Sequence, residues 1–139
     1  MHLTQETDYA VRIIYCLAKS GCRKDAASLG EAMSVTLRFS LKILGKLSAA
    51  GLVKSYKGTR GGYELAREPG QITLKDVVDA VEGPYTLCRC MAQGGECNRG
   101  MSGCCLFQQE FARISADVDR QLAQVNFADL LAKEAAMTV

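Results

Sequence analysis

The sequence has little of what catalysis, secretion or membrane insertion would need. Its one histidine, His2, stands beside the N-terminus, and no nucleophile is evident with a base to activate it. No apolar run approaches the roughly 20 residues that span a bilayer, and the polar start MHLTQETDYA lacks the basic and then apolar pattern of a signal peptide. We therefore expect a cytoplasmic protein without membrane association that is not an enzyme.

Acidic residues are missing from one long stretch. The net charge of the 139 residues is only +2, but residues 1–67 carry 11 basic and 5 acidic residues, whereas residues 68–139 carry 6 and 10. Between residues 32 and 63 there is no acid and there are six bases, namely Arg38, Lys42, Lys46, Lys54, Lys57 and Arg60. Such a block is typical of a surface that binds a polyanion, although a solvated basic face has the same composition.

Three helices are predicted in the first half of the chain. Thr4 or Thr7 can cap a first helix that stops at Gly21, and Ser28 with Glu31 has the spacing of a capping box for a short second helix.

The third helix is predicted from a cap at Thr36 through Ala49. At 100° per residue its apolar side chains share one face and its bases lie roughly opposite. The apolar set is Phe39, Ile43, Leu44 and Leu47, and the basic set is Arg38, Lys42 and Lys46. A short turn before a third helix of this kind predicts a helix-turn-helix.

A basic hairpin is predicted next, in LVKSYKGTRGGYELA. Residues 52–56 and 63–65 have strand-forming composition, and the glycine-rich turn between them carries Lys57 and Arg60. Helix-turn-helix and hairpin together predict a mainly α fold with a small β-wing, a winged helix-turn-helix.

The last third of the chain predicts a long helix with an apolar stripe. Thr73 and Asp76 can cap a fourth helix that ends at Gly83, and the long helix resumes near Cys104. Its stripe consists of Phe107, Phe111, Ile114, Val118, Leu122 and Val125, and a last short helix starts at Asn126. A stripe of this length predicts contact with a partner subunit. The alternative is packing against the first helix of the same chain, and the two contacts are compatible if they use different sides of the long helix.

Five of the seven cysteines lie in the segment between these helices. They are Cys88, Cys90, Cys97, Cys104 and Cys105, and they contain no C-x-x-C pair of the kind that structural zinc sites use. Well-spread thiolates with glycine-bearing gaps favour a larger soft group such as an iron–sulfur cluster. Cys16 and Cys22, outside this segment, fit small apolar filler or idle thiols.

The order of these blocks resembles the Rrf2 family of bacterial winged-helix regulators, and the IscR-like and NsrR-like members in particular. The matching stretches are LTQETDYAVR, TLRFSLKILGKLSAAGLVKSYKGTRGGYEL, ITLKDVVDAVEG and NFADLL, with the cysteine segment in between. The resemblance implies a homodimer that binds double-stranded DNA at a palindromic operator and favours a repressor among the possible regulators. It also implies that the long helix dimerises and that a 2Fe-2S or 4Fe-4S cluster sets the affinity for DNA in response to redox state, iron or nitric oxide.

On a winged helix-turn-helix the expected DNA contacts are Thr36, Arg38 and Lys42 of the third helix and Lys57 and Arg60 of the wing. Leu41 stands where relatives often carry a polar base-reading residue. The resemblance also assigns metal ligands. For the cluster they are Cys90, Cys97 and either Cys105 or Cys104. Some members use as fourth ligand a histidine three residues after the third cysteine; counted from Cys105, that position is Gln108 here. Other members use an aspartate from the first helix of the other subunit, and Asp8 matches it. The alternative is that Asp8 only caps the helix.

The expected organisation is a DNA-binding domain at residues 1–83, a cysteine-rich sensor loop at 84–105, and a dimerisation helix with a C-terminal helix at 106–139. Two alternatives keep DNA binding without a cluster. One is a thiol or persulfide switch that uses the crowded pairs Cys88/Cys90 and Cys104/Cys105, and the other is a zinc site in the same loop.

Overall fold

The computed structural model describes residues 2–92, 94–101 and 105–138. Three helices come first, α1 (Gln5–Ser20), α2 (Ala26–Met33) and α3 (Leu37–Ala49), followed by the strands β1 (Val53–Tyr56) and β2 (Gly62–Leu65). The chain continues through α4 (Leu74–Glu82), α5 (Leu106–Gln124) and α6 (Phe127–Met137), with short 3-10 turns at Pro69–Gln71 and Arg89–Met91. The strands pair antiparallel, with Val53 opposite Leu65 and Tyr56 opposite Gly62. This is the mainly helical fold with a small β-wing that the sequence predicts.

The helix ends follow local side-chain chemistry. Thr4 caps α1 by accepting a hydrogen bond from the Thr7 backbone N–H, and Gly21 ends that helix in the left-handed region at φ 63°. The capping box predicted at Ser28 and Glu31 is wrong. Asp25 is the cap of α2, and its carboxylate accepts from the Ser28 N–H at 2.8 Å. A carboxylate in this position also faces the positive end of the helix dipole, so it is an effective cap.

The core under α3 is built by α1, α2, α4, the start of the hairpin and the start of α6. The buried apolar side chains of α1 are Ala10, Ile13, Ile14 and Leu17, and those of α3 are Ile43, Leu44 and Leu47. The other members of the same cluster are Ala26, Leu29, Leu52, Val53, Ile72, Val77 and Phe127. The predicted apolar face of α3 is therefore confirmed, with Phe39 half-buried at its edge. Burial of this face fixes the opposite face of α3 toward solvent.

The turn between α2 and α3 depends on a close approach at Gly30. A Cβ there would lie 2.6 Å from the Val35 carbonyl oxygen and 2.8 Å from Ser40 Oγ. We expect Gly30→Ala to lower the free energy of unfolding by about 2 kcal/mol, because backbone must move to admit the methyl group. Gly45→Ala is the matched control, since a Cβ at position 45 of α3 would have no atom of the described residues within 4 Å beyond its own helix and chain neighbours. It should stabilise the protein by about 0.5–1 kcal/mol. Urea unfolding of both variants checks this, and equal effects would contradict the steric account.

The last two helices take different neighbours. α5 packs against α4, whereas α6 returns to pack against α1, so the alternative in which the long helix covers α1 is wrong. Within this single chain α5 leaves the first half of its stripe open, since Phe107, Phe111 and Ile114 are 66%, 43% and 39% exposed. The neighbouring Leu106 is 74% exposed. Among the described helices, none is both long and apolar enough to cross a bilayer.

Candidate DNA-binding surface and cysteine loop

The exposed face of α3 carries the predicted basic residues near its N-terminus. Thr36 caps the helix through its hydroxyl, which accepts from the Phe39 N–H at 3.3 Å. Arg38 and Lys42 are exposed, and so are Leu37 and Leu41. Apolar side chains so placed can contact thymine methyl groups, while cations beside them can reach base edges or phosphates.

The basic row on α3 is not uniform, because α1 supplies a carboxylate to part of it. Glu6, whose side chain is only 17% exposed, lies 2.8 Å from Lys46 Nζ and 3.5 Å from Lys42 Nζ. The hydrogen bond from Lys46 is the main reason why the pKa of Glu6 is lowered, and it outweighs the desolvation that would raise that pKa. Lys46 therefore belongs to a bond between α1 and α3, and Lys42 is shared between that bond and solvent.

Glu6→Gln is expected to cost about 0.5–1 kcal/mol of stability at pH 7. A carboxylate whose pKa is lowered on folding stabilises the fold above its unfolded pKa, and this contribution disappears as the pH falls through the folded pKa. The deficit of the variant should therefore shrink below about pH 4. Urea titrations from pH 3 to pH 7 test this, with the exposed Glu31→Gln as control. A deficit that does not change with pH would contradict the ion-pair assignment.

The same variant should bind heparin more tightly. Removing the carboxylate frees both lysines for an anionic chain, so elution from a heparin column should move to higher salt.

The wing places its basic residues at an exposed tip. Lys57 and Arg60 are both exposed, and among the described residues neither they nor Arg38 form an ion pair. Gly58 (φ 94°) and Gly62 (φ 137°) adopt backbone conformations that favour glycine. The tip can therefore approach a surface closely with its cations free.

Sequence reasoning missed Arg23, which lies outside the acid-free stretch. Its guanidinium carbon stands 3.4 Å from the centre of the Tyr56 ring, on the face of the wing. No local pattern marks this residue, because the contact depends on how the α1–α2 loop (residues 21–25) folds back onto the hairpin.

The cysteine loop holds sulfurs in two different environments. Cys88 Sγ and Cys90 Sγ are 3.5 Å apart, and this contact raises the pKa of Cys90. The pKa of Cys97 is lowered, first by the backbone N–H groups of Met101 and Arg99 and further by the charge of Arg99. Cys97 therefore has the more stabilised thiolate, which is the form that binds metals.

The loop is attached to α5 at both of its ends. The Leu87 N–H donates to Ser115 Oγ at 3.1 Å, and Ser115 is the buried residue of α5. Cys105 is the N-cap residue of the helix. A change in the loop can therefore reach the helix that carries the exposed stripe.

The described residues do not gather the predicted ligands. Across residues 2–92, 94–101 and 105–138, no three cysteine, histidine, aspartate or glutamate side chains lie close enough to hold a metal ion, and Cys104 is outside the described residues. Asp8 does not cap α1, since Thr4 does; it pairs with Arg12 at 2.6 Å. The donor chemistry fits a soft iron-containing group, because the loop has a stabilised thiolate at Cys97 and further free thiols at Cys90 and Cys105. Sites of this kind are rarely preformed, because bonds to the metal gather the ligands.

A comparison with known families decides the identity of the chain. The profile of the Rrf2 family, described as "Iron-dependent Transcriptional regulator", matches residues 3–133. The chain belongs to the Rrf2 family. Its relatives include Protein aau3 of Rhizobium meliloti, 38% identical over 95 residues, and the HTH-type transcriptional regulator IscR of Cronobacter sakazakii, 33% identical over 98 residues. Each match covers 68% of this chain but only 62% and 60% of those relatives. The matched part therefore spans about three fifths of their length.

Solved structures show the same fold for this Rrf2 protein. CymR, the global cysteine regulator of B. subtilis, superposes with a TM-score of 0.73 at 24% identity, covering 96% of this chain and 98% of CymR. IscR of T. potens gives a TM-score of 0.74 at 22% identity, covering 96% and 88%. The winged-helix fold is confirmed, and the family is one of transcriptional regulators.

Proposed function

We propose that this Rrf2 protein is a dimeric transcriptional repressor that binds DNA through α3 and the wing. The observation that carries the proposal is the placement, on two successive elements, of cations that form no ion pair among the described residues. They are Arg38 on the exposed face of α3, and Lys57 with Arg60 at the tip of the hairpin that follows it. The nearby carboxylate of Glu6 is closest to Lys46, at 2.8 Å, and not to any of these three cations.

Each residue has a distinct role in this mode of binding. Residues in the N-terminal part of a recognition helix contact base edges, and this assigns Thr36, Arg38 and Lys42 to base edges and nearby phosphates. Lys57 and Arg60 contact phosphates or the adjacent minor groove. Phosphate contacts fix the position of the protein on the duplex, and base contacts select the sequence.

Selection from a random pool of 30-bp duplexes tests this mode. Two α3 helices of a dimer reach successive major grooves about 34–36 Å apart. We expect enrichment of an inverted repeat whose half-sites are separated by about one helical turn. A pool that shows no enrichment over the input would contradict sequence-specific binding.

The dimer is proposed to form through α5. Its first two turns expose Phe107 and Phe111, and burying a continuous apolar patch is the main force of subunit association. The combined change Phe107→Asp and Phe111→Asp should convert the dimer to a monomer at micromolar concentration, because it would place two unpaired charges in a buried contact. Light scattering measures this. Gln109→Asp, at an exposed position on another side of α5, is the control and should remain dimeric; a dimer in both would contradict the assignment.

The cysteine loop is the proposed sensor, holding an iron–sulfur cluster. Cys90, Cys97 and either Cys105 or Cys104 would be its ligands, with Asp8 of the other subunit as the fourth. The family description and the stabilised thiolate of Cys97 support this proposal. When bound, a cluster supplies iron that reacts with oxidants and nitric oxide.

We expect cluster binding to order the cysteine loop against α5. Cys105 begins α5, and Leu87 is bonded to Ser115 in the same helix. Drawing Cys90 and Cys97 toward Cys105 therefore restrains the loop against the dimer helix. A dimer with a restrained loop and one with a free loop differ in the spacing of their two α3 helices, so the loop shifts the population of DNA-binding dimers.

A thiol switch is the second candidate, favoured by the 3.5 Å contact between Cys88 and Cys90. Each thiol would give one electron and one proton to hydrogen peroxide. One S–S bond then forms, and the peroxide is reduced to two water molecules. Mass spectrometry of peroxide-treated, iron-free protein would detect a loss of about two mass units in the peptide that holds both cysteines. Iron and acid-labile sulfide in the anaerobic protein favour the cluster; their absence together with this disulfide favours the switch.

A further inference from the structure

Arg23 connects the α1–α2 loop to three parts of the wing. Its guanidinium is stacked on Tyr56 of β1, with 3.4 Å from Cζ to the ring centre. Its Nε lies 3.6 Å from Glu64 Oε2 on β2, and its Nη1 donates to the Arg60 carbonyl oxygen at 2.9 Å. One side chain outside the hairpin thus contacts both strands and the tip.

The strand residues in this contact also support each other. Tyr56 Oη donates to Glu64 Oε1 at 2.6 Å, which raises the pKa of Tyr56 and lowers that of Glu64. In the register of the hairpin, Tyr56 and Glu64 are diagonal neighbours on one face. Arg23 neutralises the carboxylate and covers the ring, so its own charge is largely compensated within the wing.

The backbone next to Arg23 continues the sheet. Lys24 and Tyr63 exchange both backbone hydrogen bonds, at 2.9 and 2.7 Å. A Cβ on Gly62 would lie 2.7 Å from the Lys24 carbonyl oxygen, so glycine is required for this approach. The loop is therefore held beside β2, and Arg23 is held where it can reach the tip.

The tip needs such a support, because its glycines favour many conformations. An isolated two-stranded hairpin is marginally stable, and Gly58, Gly61 and Gly62 increase the entropy lost when the tip is ordered. Within the tip the backbone forms a bond from the Gly61 N–H to the Gly58 carbonyl. The bond from Arg23 fixes the neighbouring carbonyl of Arg60 from outside the hairpin.

We propose that Arg23 is a positioning residue for DNA binding, which holds the wing tip so that Arg60 meets the duplex in a fixed orientation. The inference rests on the proposed role of the wing in DNA binding. Arg23 acts through Arg60 and not as an independent DNA contact, since its guanidinium is already used by Tyr56, Glu64 and the Arg60 carbonyl.

A double-mutant cycle tests the proposal with a fluorescein-labelled 30-bp duplex selected from the random pool by the wild-type protein. We expect Arg60→Ala and Arg23→Ala each to weaken binding by about 5–10-fold, and the double variant to be within about 2-fold of the weaker single variant, because the two residues act as one unit. Arg67→Ala, which removes the same charge from the segment after β2, is the control, with an expected change below about 2-fold.

Two further measurements distinguish the positioning role of Arg23 from an effect of its charge and from a loss of stability in the whole fold. Arg23→Lys keeps the charge but lacks the planar fork, so it should bind as weakly as Arg23→Ala. Amide hydrogen exchange of residues 58–61 in the free protein should be faster in Arg23→Ala, whereas exchange in α1 and α3 should not change.

The outcomes distinguish this inference from the function on which it rests. If Arg60→Ala binds as tightly as the wild type, the proposed role of the wing fails. If Arg60→Ala weakens binding but the two losses multiply in the double variant, or Arg23→Lys restores wild-type affinity, or exchange at the tip is unchanged, the positioning role of Arg23 is overturned while the wing contact stands.

Discussion

Cys97→Ala is expected to purify as a colourless protein without iron, whereas the wild-type protein isolated under strict anaerobiosis should be brown. Cys97 is the cysteine whose thiolate is stabilised by backbone N–H groups and by Arg99, and it lies between the other proposed ligands in sequence. Losing one of three cysteine ligands removes a strong iron–thiolate bond, so we expect iron and sulfide content to fall to background. Visible absorption together with iron and sulfide assays on the same sample measures the effect.

Cys16→Ala is the matched control, because it removes a half-buried thiol from α1, outside the loop. It should retain full colour and iron content. Equal iron in the Cys97 and Cys16 variants, or a colourless wild-type protein, would contradict the cluster. Cys88→Ala adds a further distinction: it should keep the iron if Cys88 is an extra thiol, but it would abolish a disulfide switch that uses Cys88.

The combined change Lys57→Ala and Arg60→Ala should weaken binding to the selected duplex by about 10–100-fold at 0.1 M salt. Both side chains are exposed at the wing tip and free of ion pairs among the described residues, so their full charge is available to phosphates. Each phosphate contact contributes about 0.9 to the slope of log K against log salt, so the slope should fall by about 2. Fluorescence anisotropy from 50 to 300 mM salt measures both quantities.

Arg113→Ala with Arg120→Ala is the control for this double change. It removes the same net charge from α5, where both arginines are paired with Asp117. Its slope should match that of the wild type. If both double variants lose the same affinity and slope, the effect is one of overall charge, and the wing has no specific role.

The scaffold of the DNA-binding half could be predicted from the sequence because its signals are local. The cap at Thr36, the apolar face of Ile43, Leu44 and Leu47, and the glycines of the hairpin each fix a conformation within a few residues. The capping box predicted for α2 was wrong because two local cap signals compete there. Ser28 and Glu31 have the right spacing, but Asp25 stands one turn earlier and is the better cap for the N-terminus of that helix.

The parts of the site that sequence could not supply depend on tertiary contacts. Glu6 lies more than 30 residues from Lys42 and Lys46, and Arg23 is as far from the wing tip; only the packing of α1 and of the α1–α2 loop brings them together. The cysteine loop is a different case. Few of its residues bury apolar surface, so packing does not fix its conformation. Bonds to a metal can gather the proposed ligands, but the metal is part of neither the sequence nor the folded chain, so neither predicts the arrangement of the ligands.

Comparing the DNA affinity of one protein preparation with and without its cluster tests the account most directly. Anaerobic wild-type protein is divided in two, iron is removed from one half by a chelator under reducing conditions, and both halves are titrated with the same labelled duplex at fixed salt. The account predicts that the dissociation constants differ by at least about tenfold, and that this difference disappears in Cys97→Ala. Identical dissociation constants for the two halves would contradict the claim that the cysteine loop controls binding by α3 and the wing.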